Sequence, residues 1–121
     1  MGQIHGLGLW GERIGARYFR KKKYTVLAHS YKTKYGEIDL IVCNKQYIVF
    51  VEIKLRKTEK FAEGREFVDY YKQARIKNAA GYYLNSKETS LQPRFDVLEI
   101  YAPEGTKTLK PIITHLEDAF E

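Results

Sequence analysis

The sequence is poor in the residues that staple a chain together. Cys43 is its only cysteine, so an internal disulfide is excluded. A lone thiol inside an apolar run reads as a buried, inert side chain in a reducing cytosol. His5, His29 and His115 are too scattered to suggest a zinc site. No apolar run approaches the roughly 18 residues needed to cross a bilayer. The opening Met1-Gly-Gln-Ile-His-Gly lacks the apolar core of a secretory signal, and Gly6 stands where a myristoylation signal wants Ser or Thr. A cytoplasmic protein without a membrane partner is therefore expected. No repeat, low-complexity tract or linker interrupts the 121 residues, so a single domain over residues 1–121 is expected. Walker loop, nucleophile elbow and dinucleotide-type glycine fingerprint are all missing, which removes the enzyme classes those motifs mark.

What the chain has is positive charge and β-branched residues. A hydrophobic fraction of 44% suits a globular protein, and the net charge is +6. The charge is uneven. Arg17, Arg20, Lys21, Lys22, Lys23, Lys32 and Lys34 crowd the first third, Lys54, Arg56, Lys57 and Lys60 follow, and then Lys72, Arg75 and Lys77. Basic residues interleaved with ten tyrosines suit a polyanionic partner, although an ordinary solvated basic surface gives the same count. Arg17, Lys32, Arg56, Lys72 and Arg75 are the candidate contacts to a nucleic-acid backbone; the tyrosines read as packing by default, though Tyr35 and Tyr70 could stack on bases.

Hydrophobic periodicity places the elements. Residues 7–22 read as an amphipathic helix with Leu7, Trp10, Ile14 and Tyr18 on one line. Residues 24–30, 35–42 and 46–55 read as strands, the last two joined as a hairpin through Cys43-Asn-Lys-Gln. Residues 56–65 are polar and read as an exposed loop. A second helix is expected over 66–85, with Gln73, Ile76, Ala80 and Leu84 on one face. Residues 94–101 form a fourth strand, 112–114 a short edge strand, and 116–120 a helical turn packed by Phe120. The order α-β-β-β-α-β-(β)-α implies an α/β fold, a mixed sheet of four or five strands flanked by helices.

Two of these strands carry charge where a core is expected. In Tyr35-Gly-Glu-Ile-Asp-Leu-Ile-Val, strict alternation puts Glu37, Asp39 and Ile41 on one face, opposite Ile38, Leu40 and Val42. In Ile48-Val-Phe-Val-Glu-Ile-Lys-Leu, Ile48, Phe50, Glu52 and Lys54 face one side, and Val49, Val51, Ile53 and Leu55 the other. Strands apolar on both faces are covered on both sides, and an unpaired ion there costs several kcal/mol. On neighbouring strands Asp39 and Glu52 can reach one point, where two carboxylates need a cation or a proton between them. Oxygen-only donors suit Mg²⁺ or Mn²⁺, which accept phosphate oxygens as further ligands. Lys54, on the face of Glu52, can hold a scissile phosphate and orient a water. The alternative is a Glu52–Lys54 pair at a frayed strand end.

Other candidates are weaker. Glu12 lies off the first helix's apolar stripe, flanked by small Gly8 and Ala16 that would allow close approach; an exposed glutamate beside Arg13 or Arg17 is the alternative. Gln73 faces inward on the second helix and can aim at the carboxylates, unless it is partly exposed. Glu37 is read as solvent-facing, and Asp96 as the partner of an internal arginine.

Glu12, Gly36-Glu-Ile-Asp-Leu-Ile and Val49-Phe-Val-Glu-Ile-Lys together resemble the PD-(D/E)XK nuclease superfamily. Within it the chain is similar to the YraN-like family of predicted endonucleases, over nearly its whole length. Gly11-Glu-Arg-Ile-Gly-Ala, Lys72-Gln73, Arg94-Phe-Asp-Val and His115-Leu-Glu-Asp-Ala-Phe extend the match, while Ile38 replaces the proline that gives the superfamily its name. The resemblance implies a restriction-endonuclease-like core of the Holliday-junction-resolvase type and a metal held by Asp39, Glu52 and the Ile53 carbonyl. It also implies a catalytic Lys54 with Glu12 and Gln73 accessory, DNA as substrate, and homodimers as a common assembly, although no stripe here marks an interface. Two alternatives stay open: a nucleic-acid-binding module of nuclease fold with little or no turnover, and a nuclease directed at RNA.

Overall fold

The computed structural model describes residues 2–57 and 69–121, and the side chains from residue 7 onward. Its organising strand is β3 (Tyr47–Arg56), buried without a break from Ile48 to Glu52. Such a strand needs neighbours on both edges and cover on both faces. β2 (Glu37–Cys43) pairs with it antiparallel, and β4 (Gln92–Tyr101) pairs with it parallel, Glu52 opposite Val97. β1 (Thr25–Lys32) and β5 (Ile112–Phe120) complete a five-stranded, mostly antiparallel sheet in the order β1-β2-β3-β4-β5. The β2–β3 turn is the expected one: the Asn44 side chain accepts the N–H groups of Gln46 and Tyr47 at 2.9 and 2.7 Å. A parallel β3–β4 pair requires a long crossover, and that connection contains α2 (Tyr70–Asn85), whose first turn is capped by Asp69 accepting the Lys72 N–H at 2.8 Å. The start of this helix expected at residue 66, and most of the loop expected over 56–65, lie outside the described residues.

The helices take opposite faces. α1 (Gly2–Lys21) buries Ala16 and Phe19 against Leu40, Val42, Val49, Val51, Leu98 and Ile100. α2 buries Ile76, Ala79, Ala80 and Tyr83 against Ile38, Ile41, Ile48, Phe50 and Val97. Trp10, Ile14 and Tyr18 only border the α1 core, and Phe19, outside the expected stripe, is its fully buried anchor. Close approach comes from Gly11 and Gly15, not from Gly8. A Cβ on Gly15 would lie 3.0 Å from methyls of both Ile53 and Leu40, whereas one on Gly8 would meet nothing within 4 Å.

Two further expectations are corrected. Residues 116–120 are not helical but the end of β5. Between Leu116 and Phe120 the strand advances four residues while β4 moves back two, from Val97 to Phe95. Asp118, with φ 51°, turns the bulge. The four-residue spacing of Leu116 and Phe120 therefore reflects a bulge, which imitates helical period. The second correction concerns Ile38, which clusters with Ile41 under α2 instead of with Leu40 and Val42. The β2–β3 ladder stops at Leu40–Val51, and on β1 the residue between the partners of Leu40 and Ile38 is Ser30, at φ 49°. Strict alternation fails where β2 leaves the ladder, and Asp39 stands at that fork. Among the described residues no helix is long and apolar enough to cross a membrane.

Candidate functional site

At the fork the backbone N–H of Ile53 donates to Asp39 Oδ2 at 2.8 Å, in place of a strand partner. That bond draws the Asp39 carboxyl over the rim of β3, where it lines one cavity with Glu52. Burial pushes the Asp39 pKa up to about 8; the hydrogen bond and charge of Glu52 add to this, the Ile53 N–H opposes it, and Glu12 adds a further push. Glu52 is only 5% exposed, and Lys72 of α2 is ion-paired to its Oε2. Lys54 sits half-buried beside them. Burial, then the charge of Lys72, hold its pKa below the usual lysine value, against the pull of Glu52. Burial works the same way on Lys72 but is outweighed by the hydrogen bond and charge of Glu52, so its pKa rises. Two acids and two ammonium groups thus share one rim, at the carboxyl end of the parallel β3–β4 pair, where ligands of open α/β sheets bind.

Asp39 faces two cavities. One of about 580 Å³ is bounded by Glu52, Asp69, Lys72 and Arg75. The other, about 360 Å³, lies toward α1 and includes Glu12, Ser30 and Lys32. Gly36 is needed between them and α2, since a Cβ there would lie 3.2 Å from the Arg75 Cβ. Among the described residues no group of three His, Cys, Asp or Glu side chains could cage a metal. The donor set is two carboxylates, Asp39 and Glu52, lining one cavity with Ile53, which fits a cation that keeps most of its waters.

The other sequence candidates fall around this centre unequally. Glu12 is held: Ser30 Oγ lies 2.7 Å from each of its oxygens and His29 Nδ1 3.8 Å from Oε1, so its charge is turned toward β1 and felt by Asp39. Gln73 is half-buried on the Ile76 side of α2, while Lys72 and Arg75 are the helix residues bounding the cavity. Arg75 also donates from Nε to the Tyr35 carbonyl at 3.3 Å. Arg56 is tied to buried Glu99 at 2.9 Å, Lys32 stands 3.8 Å from exposed Glu37, and Arg17 is exposed on α1. Ser30, Glu99 and the Lys72–Glu52 pair were not visible in the sequence. Lys72 alone left a trace, four residues before buried Ile76 and so on the sheet-facing side.

Asp96 meets its expected arginine. Arg94 donates to it through Nε and an Nη at 2.9 and 2.8 Å, His115 Nε2 lies 2.7 Å away, and the Asp118 N–H donates at 3.0 Å. Tyr18 bonds the other His115 nitrogen at 3.0 Å. This network sits on the α1 face and clamps β4, β5 and α1 together.

Comparison with known proteins adds one consistent finding. A family model described as "Uncharacterised protein family UPF0102" matches residues 11–100. Similar UPF0102 proteins come from Caldanaerobacter subterraneus subsp. tengcongensis, 42% identical over 94% of this chain and 93% of the relative, and from Syntrophomonas wolfei, 40% identical over 94% and 96%. A third, from Thermodesulfovibrio yellowstonii, is 34% identical over 94% and 95%.

Proposed function

The chain belongs to the uncharacterised protein family UPF0102, as its YraN-like motifs led one to expect, and we propose from its acidic fork that it is a Mg²⁺- or Mn²⁺-dependent endonuclease hydrolysing DNA phosphodiester bonds. One observation carries this proposal: Asp39 and Glu52, from different strands, line one cavity, Asp39 bonded to the Ile53 N–H between Glu52 and Lys54. The arrangement agrees with the PD-(D/E)XK superfamily, in which such acids hold the metal. Asp39, Glu52 and the Ile53 carbonyl would hold the cation, which when bound supplies Lewis-acid stabilisation of phosphoryl charge and a more acidic water.

The chain's own residues do the rest. Lys54 reaches the rim on a strand, with its position fixed by the sheet and its ammonium partly desolvated, so its attraction for a phosphate oxygen exceeds that of a surface lysine. Lys72 supplies a second ammonium within reach of the same phosphate. Glu12, fixed by Ser30, maintains negative potential at Asp39 and favours a cation there. Gln73 is assigned an accessory place on the helix that carries Lys72.

Incubating pure protein with branched, flapped and linear DNA, with Mn²⁺ or with EDTA, tests the proposal. Cleavage should need the metal, and Asp39→Ala and Lys54→Ala should each slow it at least ~10²-fold, the loss seen on removing comparable electrostatic stabilisers. Parental rates in both variants would refute it. A second function is supported by the Lys72–Glu52 pair, which neutralises the acidic rim without any metal: a nucleic-acid-binding module lacking turnover. Salt-sensitive binding that ignores EDTA and Asp39→Ala, without cleavage of DNA or of matched RNA, would favour it.

A further inference from the structure

On the far side of Glu12 from the acidic rim, α1 and β1 enclose a cleft of about 630 Å³. Its helix wall carries Arg13, Arg17, Arg20 and Lys21, and its remaining lining includes Leu9 of α1 and His29 of β1. Arg13, Arg17 and Lys21 are spaced i, i+4, i+8, and Arg20 lies beside the last two. Successive turns of a helix rise by roughly 5–6 Å, close to the interval between phosphates in an extended nucleic-acid strand. None of the four cations is ion-paired among the described residues, so positive charge outweighs the one acid of the lining, Glu12. Glu12 accepts from Ser30 and lies 3.8 Å from His29 Nδ1, so its charge is shared with β1.

The cleft neighbours the proposed catalytic centre. It shares Leu9 and Glu12 with the 360 Å³ cavity, which in turn shares Glu37, Asp39 and Ile53 with the cavity bounded by Glu52 and Lys72. Three neighbouring cavities, read as one trench, thus lead from the arginine row, past Glu12, to the acidic rim. A volume of about 630 Å³ is that of a small-ligand pocket, room for unpaired nucleotides and not for a duplex. Leu9, 48% exposed, and His29, with 65% of its side chain exposed, offer the apolar and flat surface on which unpaired bases rest.

We propose that the α1–β1 cleft is a track for a single strand of nucleic acid, leading to or from the phosphate at Asp39 and Glu52. It rests on the nuclease proposal for its direction, and it narrows the substrate class to molecules with an unpaired segment beside the cut, such as flaps and splayed arms. The arginine row grips phosphates, and the Leu9–His29 side receives bases.

The test measures fluorescence anisotropy of a short labelled single strand, a blunt duplex and a flap, all in EDTA so that nothing is cut. The triple variant Arg13→Ala, Arg17→Ala, Arg20→Ala should bind the single strand and the flap at least ~10-fold more weakly, with a salt slope smaller by about 2. Binding to the blunt duplex should change much less. Replacing the same three arginines with lysine should keep most of the slope, and Lys107→Ala with Lys110→Ala, outside the trench, should change nothing. The arginines are exposed, and circular dichroism of the triple variant checks its fold. Unchanged single-strand affinity overturns the track, as does an equal loss for duplex, or a loss confined to anionic phospholipid vesicles. Cleavage by the parent together with unchanged strand binding in the triple variant would remove the track alone. Loss of strand binding in the variant, with no cleavage by the parent under any metal, would remove the nuclease and leave the track.

Discussion

Asp39 releases its proton near 3.8 in an unfolded chain but at about 8 in the fold. Between those values the native state holds a proton that the unfolded chain has lost. This group's contribution to stability is therefore complete below pH 3.8, declines through the window, and is gone once the pH passes about 8. In EDTA, the melting temperature of the parent should fall as the buffer moves from pH ~5 to ~8.5. Asp39→Asn should flatten that slope, because an amide oxygen still accepts the Ile53 N–H but cannot ionise. The difference should be several degrees, since ~1 kcal/mol moves Tm by roughly 4 °C in a chain of this size. Thermal melts at the two pH values, parent against variant, check it; parallel curves would mean that Asp39 is not proton-bearing near neutrality. Adding Mn²⁺ at the higher pH should restore the parent and leave the asparagine variant unmoved, because only an ionised pair gains from the cation.

At the scale of elements, glycine placement decides how α1 and α2 sit on the sheet. Gly81 of α2 has open space where a Cβ would go, so Gly81→Ala should raise stability by ~0.5–1 kcal/mol through helix propensity alone. Gly15 of α1 rests on Ile53, Leu40 and Leu98, with contacts of 3.0 to 3.3 Å already awaiting a Cβ. Gly15→Val should cost about 1–3 kcal/mol by overpacking and lever the helix off the strand that carries Glu52 and Lys54. Urea unfolding of the two variants gives opposite shifts in midpoint if this is right. These glycines also mark where the sequence was legible. The faces of β3 could be read from alternation, because Ile48, Phe50 and Glu52 lie against α2 and Val49 and Val51 against α1. The helix seam was less legible, since a missing side chain leaves no apolar signal at Gly11 or Gly15 and shifts the anchor to Phe19. Ile38 and the β5 tail escaped for a shared reason. Both lie beside positive-φ residues, Ser30 and Asp118, where a strand loses its period of two and only tertiary contacts say which way the next residue points. The same lapse in β2 brings Asp39 to the rim, so the sequence could announce the acids but not the fork that joins them.

Over the whole molecule, the two faces of the sheet separate rigidity from chemistry. The α2 face and the β2–β3 fork hold the Asp39–Glu52–Lys54–Lys72 cluster, with its ions crowded and its Asp39 proton retained. The α1 face holds Asp96, fully buried, with Arg94 and His115 both bonded to it. Burial alone would raise the Asp96 pKa, but the His115 and Arg94 hydrogen bonds outweigh it and hold it below the usual value. Its stabilisation is present above the unfolded value of 3.8 and is lost as the pH falls through the lower folded value, the reverse of Asp39. In the metal-free protein these two groups together favour a pH a little above 4, Asp96 losing its contribution below it and Asp39 above it. Asp96→Asn should cost ~3–5 kcal/mol at neutral pH, the penalty for leaving a buried Arg94 without its counter-charge, and should lower Tm by at least ~10 °C. The Tyr24 hydroxyl at 2.9 Å and the Tyr47 ring at 4.7 Å soften that loss without replacing an anion. Below the melting range the same variant should bind Mn²⁺ with parental affinity by titration calorimetry, since Asp96 points away from the fork across the sheet. Lys54→Met should do the opposite, keeping Tm within a few degrees while removing the cleavage proposed above. A large loss of metal affinity in Asp96→Asn at temperatures where it is folded would show that the two faces are coupled, and that the clamp on β4 and β5 sets the geometry of the acidic rim.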